Sequence, residues 1–288
     1  MTPQGNEQKD ARRSCVAVGI GDAVTSYADR RFYPDGQLVE WSSITKTVTV
    51  RLLTELARAQ LIDPATEVSA LFPYLPLERV TLLDLCRHRA GLPMMHPGAS
   101  RGLLGDPCRG AHDEGFLERI SASVLDASRG RRGEFRYSNL GYAVLGLAME
   151  KVTGRSWIDL VRDWVLPSDA FPTVTLTPEP LQQAVPRFLG ARRRPWSMSE
   201  GIYRAAGGLW SSFDDLVAYA QDALQHESKS GWFELRDGAY FHTGQARDTG
   251  VCVVLDRRRL RIGVAHAMLR PPNAAKQIVE KRVFKEED

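Results

Sequence analysis

Long apolar runs are missing from this chain of 288 residues. No stretch approaches the roughly 18 to 20 apolar residues that a membrane-spanning helix needs. Residues Met1 to Cys15 are polar and charged, without the apolar core of an export signal. The expectation is an untargeted, soluble, cytoplasmic protein. Charge of one sign is lacking too: 38 basic residues stand against 35 acidic ones, a formal net charge of +3. No global field nominates nucleic acid or a membrane as a partner. Cysteine is scarce, and Cys15, Cys86, Cys108 and Cys252 fit no zinc or redox spacing. Reduced structural thiols in a cytosolic protein are the fitting reading. His88, His96, His112, His226 and His266 have no ligand spacing either, so no metal site is expected. Lysine is the last scarcity. Only 7 of the 38 basic residues are lysine, so each one is a less ordinary accident of composition.

What is present is material for one large domain or two interleaved ones, with 43% hydrophobic and 25% charged residues. Cys15 to Ile20 reads as a buried strand, ended by Gly21-Asp22, with Val24 to Tyr27 as its hairpin partner. From Ser42 the pattern changes to a helical period, with Ile44, Val48, Leu52, Leu56 and Ala59 on one side and a stop at Asp63-Pro64. The early turns of this helix are rich in β-branched residues, so burial rather than propensity must hold it. Thr81 to His88 and Leu140 to Val152 are further helical patterns, the second stopped by Gly154. Strand character returns in Gly250 to Leu255 and Leu260 to Ala265, a hairpin tipped by Asp256 to Arg259. Lys276 to Lys285 suits a closing helix. Strand-rich ends and a helical middle predict an α/β (α+β) fold: an antiparallel sheet flanked by helices, built from both chain ends, with an inserted all-helical subdomain. The boundaries read as 1–63 and 200–288 for the sheet and 64–199 for the insertion, with the active site in the cleft between them.

Three short motifs carry chemistry. In Ser43-Ile44-Thr45-Lys46, residues three apart share a helix face, which brings a hydroxyl and an amine within reach of each other. A serine needs a neighbouring base to become a nucleophile, and a desolvated lysine can be that base. The helix start adds backbone N–H groups suited to an oxyanion. Alone, the tetrapeptide is weak, because a solvated helix start capped by Ser42 reads the same way. Tyr137-Ser138-Asn139, before a helix, puts a phenol and an amide two residues apart. Phe241-His242-Thr243-Gly244 offers a ring, a hydroxyl and a backbone that a ligand can approach closely.

In this order, the motifs resemble those of the serine β-lactamase and penicillin-binding-protein superfamily, specifically its class C β-lactamase, DD-peptidase and esterase branch. The resemblance runs from about Cys15 to Ala267. Its Ser-x-x-Lys falls at Ser43 and Lys46, its Tyr-x-Asn at Tyr137 and Asn139, and a His-Thr-Gly version of its Lys-Thr-Gly at His242 to Gly244. Thr81 to Pro93 and Ala206 to Leu216 are similar to further family segments.

The resemblance implies that Ser43 forms an acyl-ester while Lys46 and Tyr137 act as the coupled base and acid. It makes the backbone N–H groups of Ser43 and Gln245 the oxyanion hole. Asn139 would orient the substrate and Lys46, His242 would add positive character near Tyr137, and Thr243 and Gly244 would help bind substrate. No metal or organic cofactor is implied. The partners expected are a small-molecule or peptide-like acyl donor and an amine acceptor. Without an export signal and with a chain shorter than family members commonly are, the reading favours a cytosolic esterase or transacylase exchanging ester for amide in antibiotic or other natural-product biosynthesis. A β-lactamase or DD-peptidase is the alternative, and a non-catalytic binding homologue the alternative of another class. The Gly98-Ala99-Ser100-Arg101-Gly102 string lacks the preceding strand that a nucleophile elbow requires. The arginine clusters at Arg129 to Arg132, Arg192 to Arg194 and Arg257 to Arg259 read as solvated surface.

Overall fold

The computed structural model describes residues 12–75, 77–100, 105–128, 130–236, 238–269, 271 and 273–283. Two compact units divide the chain. One takes Met1–Ile44, Ser168–Pro195 and Leu209–Asp288, the other Thr45–Pro167 and Trp196–Gly208.

The first unit holds the strands β1 (Ser14–Ile20), β2 (Ala23–Ala28), β3 (Val39–Glu40), β4 (Arg187–Phe188), β5 (Ala191–Arg192), β6 (Trp210–Ser211), β7 (Phe233–Arg236), β8 (Ala239–Gln245), β9 (Thr249–Asp256) and β10 (Arg261–Met268). Six of them form one antiparallel sheet in the order β2-β1-β10-β9-β8-β7. Both ends of the chain meet in it, since β1 pairs with β10 from Ser14 opposite Ala267 to Ile20 opposite Arg261. The two expected hairpins are there, β1 with β2 around Gly21-Asp22 and β9 with β10 around the Arg257 to Leu260 tip.

Alternation along the central strands sends side chains to both faces, and both are buried. On one face Val16, Cys252, Val254, Ala265 and Ala267 pack against Ala275, Ile278, Val279 and Val283 of the closing helix, Ala274–Val283. Burying each valine or isoleucine there stabilises the fold by about 1.5–3 kcal/mol. The helix lies so close that a Cβ on Gly263 would fall 2.4 Å from Val283 and 2.5 Å from Val279. The helix Phe213–Gln225 packs on the same strands and takes the opposite face.

The second unit is helical, with α1 (Thr45–Arg58), α2 (Val68–Leu71), α3 (Leu82–Cys86), α4 (Glu114–Ser128), α5 (Asn139–Thr153), α6 (Trp157–Trp164) and α7 (Arg204–Gly207). Every residue from Thr45 to Val50 of α1 is buried, which is how the β-branched run stays helical. In α5, Leu140 to Met149 are all buried. Ser138 caps α5 by accepting from the Gly141 N–H, and Gly154 ends it in the left-handed conformation, φ 69°. A Cβ on Gly146 would lie 2.5 Å from that of Ala205, so the crossing of α5 and α7 depends on this glycine.

This division differs from the boundaries read off the sequence. Helix α1 groups with the helices because α5, α6 and α7 pack around it. Residues Ser168–Pro195 group with the sheet because Thr175 pairs with Trp210 and Gln183 with Leu38. Among the described residues no helix is long and apolar enough to cross a membrane.

Candidate active site

The sheet unit assembles the serine motif and the His-Thr-Gly motif by backbone geometry. Ser42–Ile44 form a single 3-10 turn that runs directly into α1. Ser42, the residue before the expected nucleophile, has φ 45°, a left-handed conformation that costs an L residue about 1–2 kcal/mol. Its hydroxyl offsets part of that cost by donating to the Gln245 carbonyl at 2.9 Å.

At the end of β8, the Ala246 N–H donates to the Thr249 carbonyl at 3.0 Å. Antiparallel pairing alternates, so Gly244 and His242 also exchange hydrogen bonds with β9, while Thr243 and Gln245 turn their backbone groups to the other edge. On that edge β7 reaches only as far as Phe241. The Ser42–Ile44 turn occupies the edge beyond it. A Cβ on Gly244 would lie 2.8 Å from Ser42 Cβ, 2.8 Å from the Ser43 nitrogen and 2.6 Å from Val251, so only glycine fits. Ser43 and the outward backbone of Gln245 are thereby brought together. His242 is buried, with Nδ1 2.9 Å from the Thr243 carbonyl and its ring 5.2 Å from that of Phe233.

The helical unit assembles Lys46 and Tyr137 by burial. Lys46, one turn after Ser43, is 0% exposed, and its Nζ donates to the Ala206 carbonyl at 2.6 Å. The amine lies 5.0 Å from the ring centre of Tyr137 and 5.5 Å from that of Tyr142. Burial lowers its pKa to about 7, far below the ordinary lysine range, so a large neutral fraction exists at neutral pH.

His88 braces this arrangement from behind. Its ring packs 4.5 Å from Tyr137 and 4.9 Å from Tyr142, and its Nδ1 accepts from the Ser138 N–H at 3.1 Å. Burial first, and then the Lys46 charge, lower the His88 pKa to about 3. The ring is neutral at pH 7, with Nδ1 as acceptor and the proton on Nε2. The Ser138 hydroxyl also donates to the Pro93 carbonyl at 2.7 Å, pinning the Tyr137 loop.

Asn139 departs from its expected contact with Lys46. It is the first residue of α5, not its cap, and its N–H goes to the Met94 carbonyl at 2.9 Å. Its amide nitrogen donates to Met95 Sδ at 3.2 Å, and its buried Oδ1 has no hydrogen-bond partner. Lys46 is oriented by the Ala206 carbonyl and two aromatic rings instead. His88, Tyr142 and Ala206 were not singled out from sequence. Tyr142 follows Asn139 by three residues and so shares its helix face, a signal the sequence does carry. The Gly98-to-Gly102 string lies in a loop as far as Ser100, and Arg101 and Gly102, like Arg129, fall outside the described residues.

A sheet joining both chain ends, an inserted helical unit, and a serine one turn before a buried lysine together define the arrangement of this chain. The family model described as Beta-lactamase matches residues 6–250, and the chain belongs to that family, within the serine β-lactamase and penicillin-binding-protein superfamily. It is similar to the D-alanyl-D-alanine-carboxypeptidase/endopeptidase AmpH of Escherichia coli K12, with 26% identity over 200 residues. That match covers 66% of this chain, and the chain spans half the length of the relative. Among solved structures, a β-lactamase/D-alanine carboxypeptidase from Yersinia pestis shares the fold at a TM-score of 0.75 and 15% identity, over 98% of this chain and 95% of the other. A class C β-lactamase from Rhodobacter sphaeroides does so at 0.71 and 18%, over 98% and 96%.

Proposed function

We propose that the chain is a serine acyl-enzyme catalyst acting on ester acyl donors, and that it passes the acyl group to an amine as well as to water. The observation that carries this reading is the fully buried Lys46, its pKa lowered to about 7, one helical turn after Ser43. Ser43 Oγ attacks the acyl carbonyl as its proton moves to Lys46 Nζ. The oxyanion is held by the N–H groups of Ser43 and Gln245. Tyr137, its ring against Lys46, relays the proton to the departing alcohol, which leaves Ser43 as an ester. Water or an amine then attacks that ester and releases acid or amide. Asn139 Oδ1, a buried acceptor without a partner, suits an N–H of the acceptor or the acyl group.

One feature supports an ester donor and another a cytosolic setting. His242 stands where the family motif has lysine, so the lysine ammonium that would meet a donor carboxylate is missing there, and the buried ring is turned to the Thr243 carbonyl. All four cysteines are buried thiols outside any disulfide, which fits a reducing cytosol. The name of the Escherichia coli relative favours a second reading, D-Ala-D-Ala carboxypeptidase, for which a free carboxylate on the donor would be required.

The test is intact-mass detection of the acyl-enzyme with an activated ester, followed by product analysis with water and a panel of amines in competition. An adduct on Ser43 that partitions into amide supports the proposal. No adduct, or one that appears equally in Ser43→Ala, overturns it, and faster acylation by D-Ala-D-Ala peptides than by esters moves the assignment to the carboxypeptidase.

A further inference from the structure

Net charge over the whole chain gave no reason to expect a membrane partner, but the average hides one segment. From Pro180 to Ser199 there is no acidic residue, while Arg187, Arg192, Arg193 and Arg194 all fall there. Within it, β4 and β5 form a hairpin closed by Leu189-Gly190. Both turn residues have positive φ, 49° and 83°, the geometry of a tight type I′ turn, which asparagine-glycine fills without strain. A leucine there is strained and gains nothing from burial, being 93% exposed. Phe188 beside it is 63% exposed and Leu181 is 78% exposed. These are the three most exposed large apolar side chains among the described residues.

The hairpin is braced rather than loose. Arg192 donates to the carbonyls of Pro180 at 2.7 Å and Gln183 at 2.5 Å, tying the hairpin to the Leu181 segment. The Arg193 backbone N–H donates to the Pro186 carbonyl at 2.9 Å, and its side chain pairs with Asp248. Arg187 and Arg194 are left solvent-exposed behind the apolar tip. Strain and exposure maintained together in a rigid element point to use rather than drift.

We propose that this hairpin docks the protein on an anionic phospholipid surface. Leu189, Phe188 and Leu181 enter the headgroup boundary while Arg187 and Arg194 face the lipid phosphates. A convex tip with a cationic collar supplies both signals, apolar insertion and charge, that reversible membrane binding requires. A flat acidic protein would have to leave the leucine tip in water or hold a matching pocket for it.

The experiment is co-sedimentation of the full chain with vesicles of phosphatidylglycerol and phosphatidylcholine, and of phosphatidylcholine alone. Binding to the anionic vesicles is expected, weakening as salt rises. Leu189→Asn suits the turn, so the variant keeps the fold and the Ser43 acylation rate, yet vesicle partitioning should fall by about ten-fold. Arg187→Gln with Arg194→Gln should lower it by about five-fold for each charge removed. Failure of the wild type to bind anionic vesicles at low salt, or unchanged binding of Leu189→Asn, overturns the proposal. So does equal binding to both vesicle types.

Discussion

The sheet unit and the helical unit present their chemistry-bearing residues by different means. Around Ser43 the sheet unit uses backbone: a strained Ser42, a glycine with no room for a Cβ, and a strand edge left open where β7 stops. Around Lys46 the helical unit uses desolvation, with an amine removed from water, the Ala206 carbonyl accepting from it and aromatic rings on its flanks. Backbone sets position and leaves charge alone. Burial sets charge, and its cost to folding changes with pH, which the cost of the strained Ser42 does not.

The contrast can be broken from either side. The largest effect is expected from Lys46→Met, which keeps volume and removes the base. Acylation by an activated ester should fall about 10³-fold, as loss of a general base does, while the thermal midpoint stays level or rises because no amine is buried. Stopped-flow acylation and a melting curve check both halves of that statement. Next comes Gly244→Ala, whose methyl group must displace the Ser43 turn or Val251. A loss of about 1–3 kcal/mol of stability is expected from overpacking, with at least ten-fold slower acylation and an unshifted pH profile. A profile that moves would show that the two means are not separate.

Smaller in size but sharper in meaning is the pH dependence. With Lys46 lowered to about 7 by burial, acylation should rise with pH through about 7 and level off above it, because only the neutral amine accepts a proton. Stability follows a related rule with its sign set by proton counts. Between pH 7 and the ordinary lysine value of 10.5, the unfolded chain binds more protons than the folded one, so stability rises with pH across that window. His88 and His266 both have pKa values lowered to about 3 by burial, against an ordinary 6.5. Their contribution is whole above pH 6.5 and is lost as pH falls towards 3. Denaturant titrations at several pH values should show both slopes, and Lys46→Met should flatten the alkaline one and, by removing the charge near His88, weaken the acid one. The least effect is expected from His88→Phe, which keeps the ring behind Tyr137 but loses the acceptor for Ser138. A few-fold drop in kcat with little change in KM would mark His88 as a positioning residue; a change confined to stability would reduce it to packing.

Much of this was legible because it is local. The Gly21 turn, the Gly154 stop, a charged tip between the last two strands, read as Asp256 to Arg259 and found one residue later, and the burial demanded by the Thr45 to Val50 run follow from patterns a few residues long. So did the spacing of Ser43 and Lys46. The rest depends on residues far apart in the chain. Nothing near Asn139 announces that Met95 will take its amide, and nothing near Lys46 announces the Ala206 carbonyl. The placement of α1 with the helices was missed because its apolar stripe reads the same whether a sheet or other helices cover it. The Arg192 to Arg194 run was read as solvated surface, yet two of its three side chains are committed to Pro180, Gln183 and Asp248, and the exposed Arg194 shares that surface with the apolar residues of the hairpin tip.

The pairing of β1 with β10 has a consequence during synthesis. A ribosome adding about 5–20 residues per second must run on for ten to fifty seconds after β1 emerges before its partner exists. For that interval the β1–β2 hairpin carries an unpaired inner edge formed by Ser14 to Ile20, which the finished sheet covers. An edge of that kind is a template for pairing with other nascent chains. Soluble yield should therefore respond to translation speed and to chaperone supply more strongly than to substitutions within the helical unit.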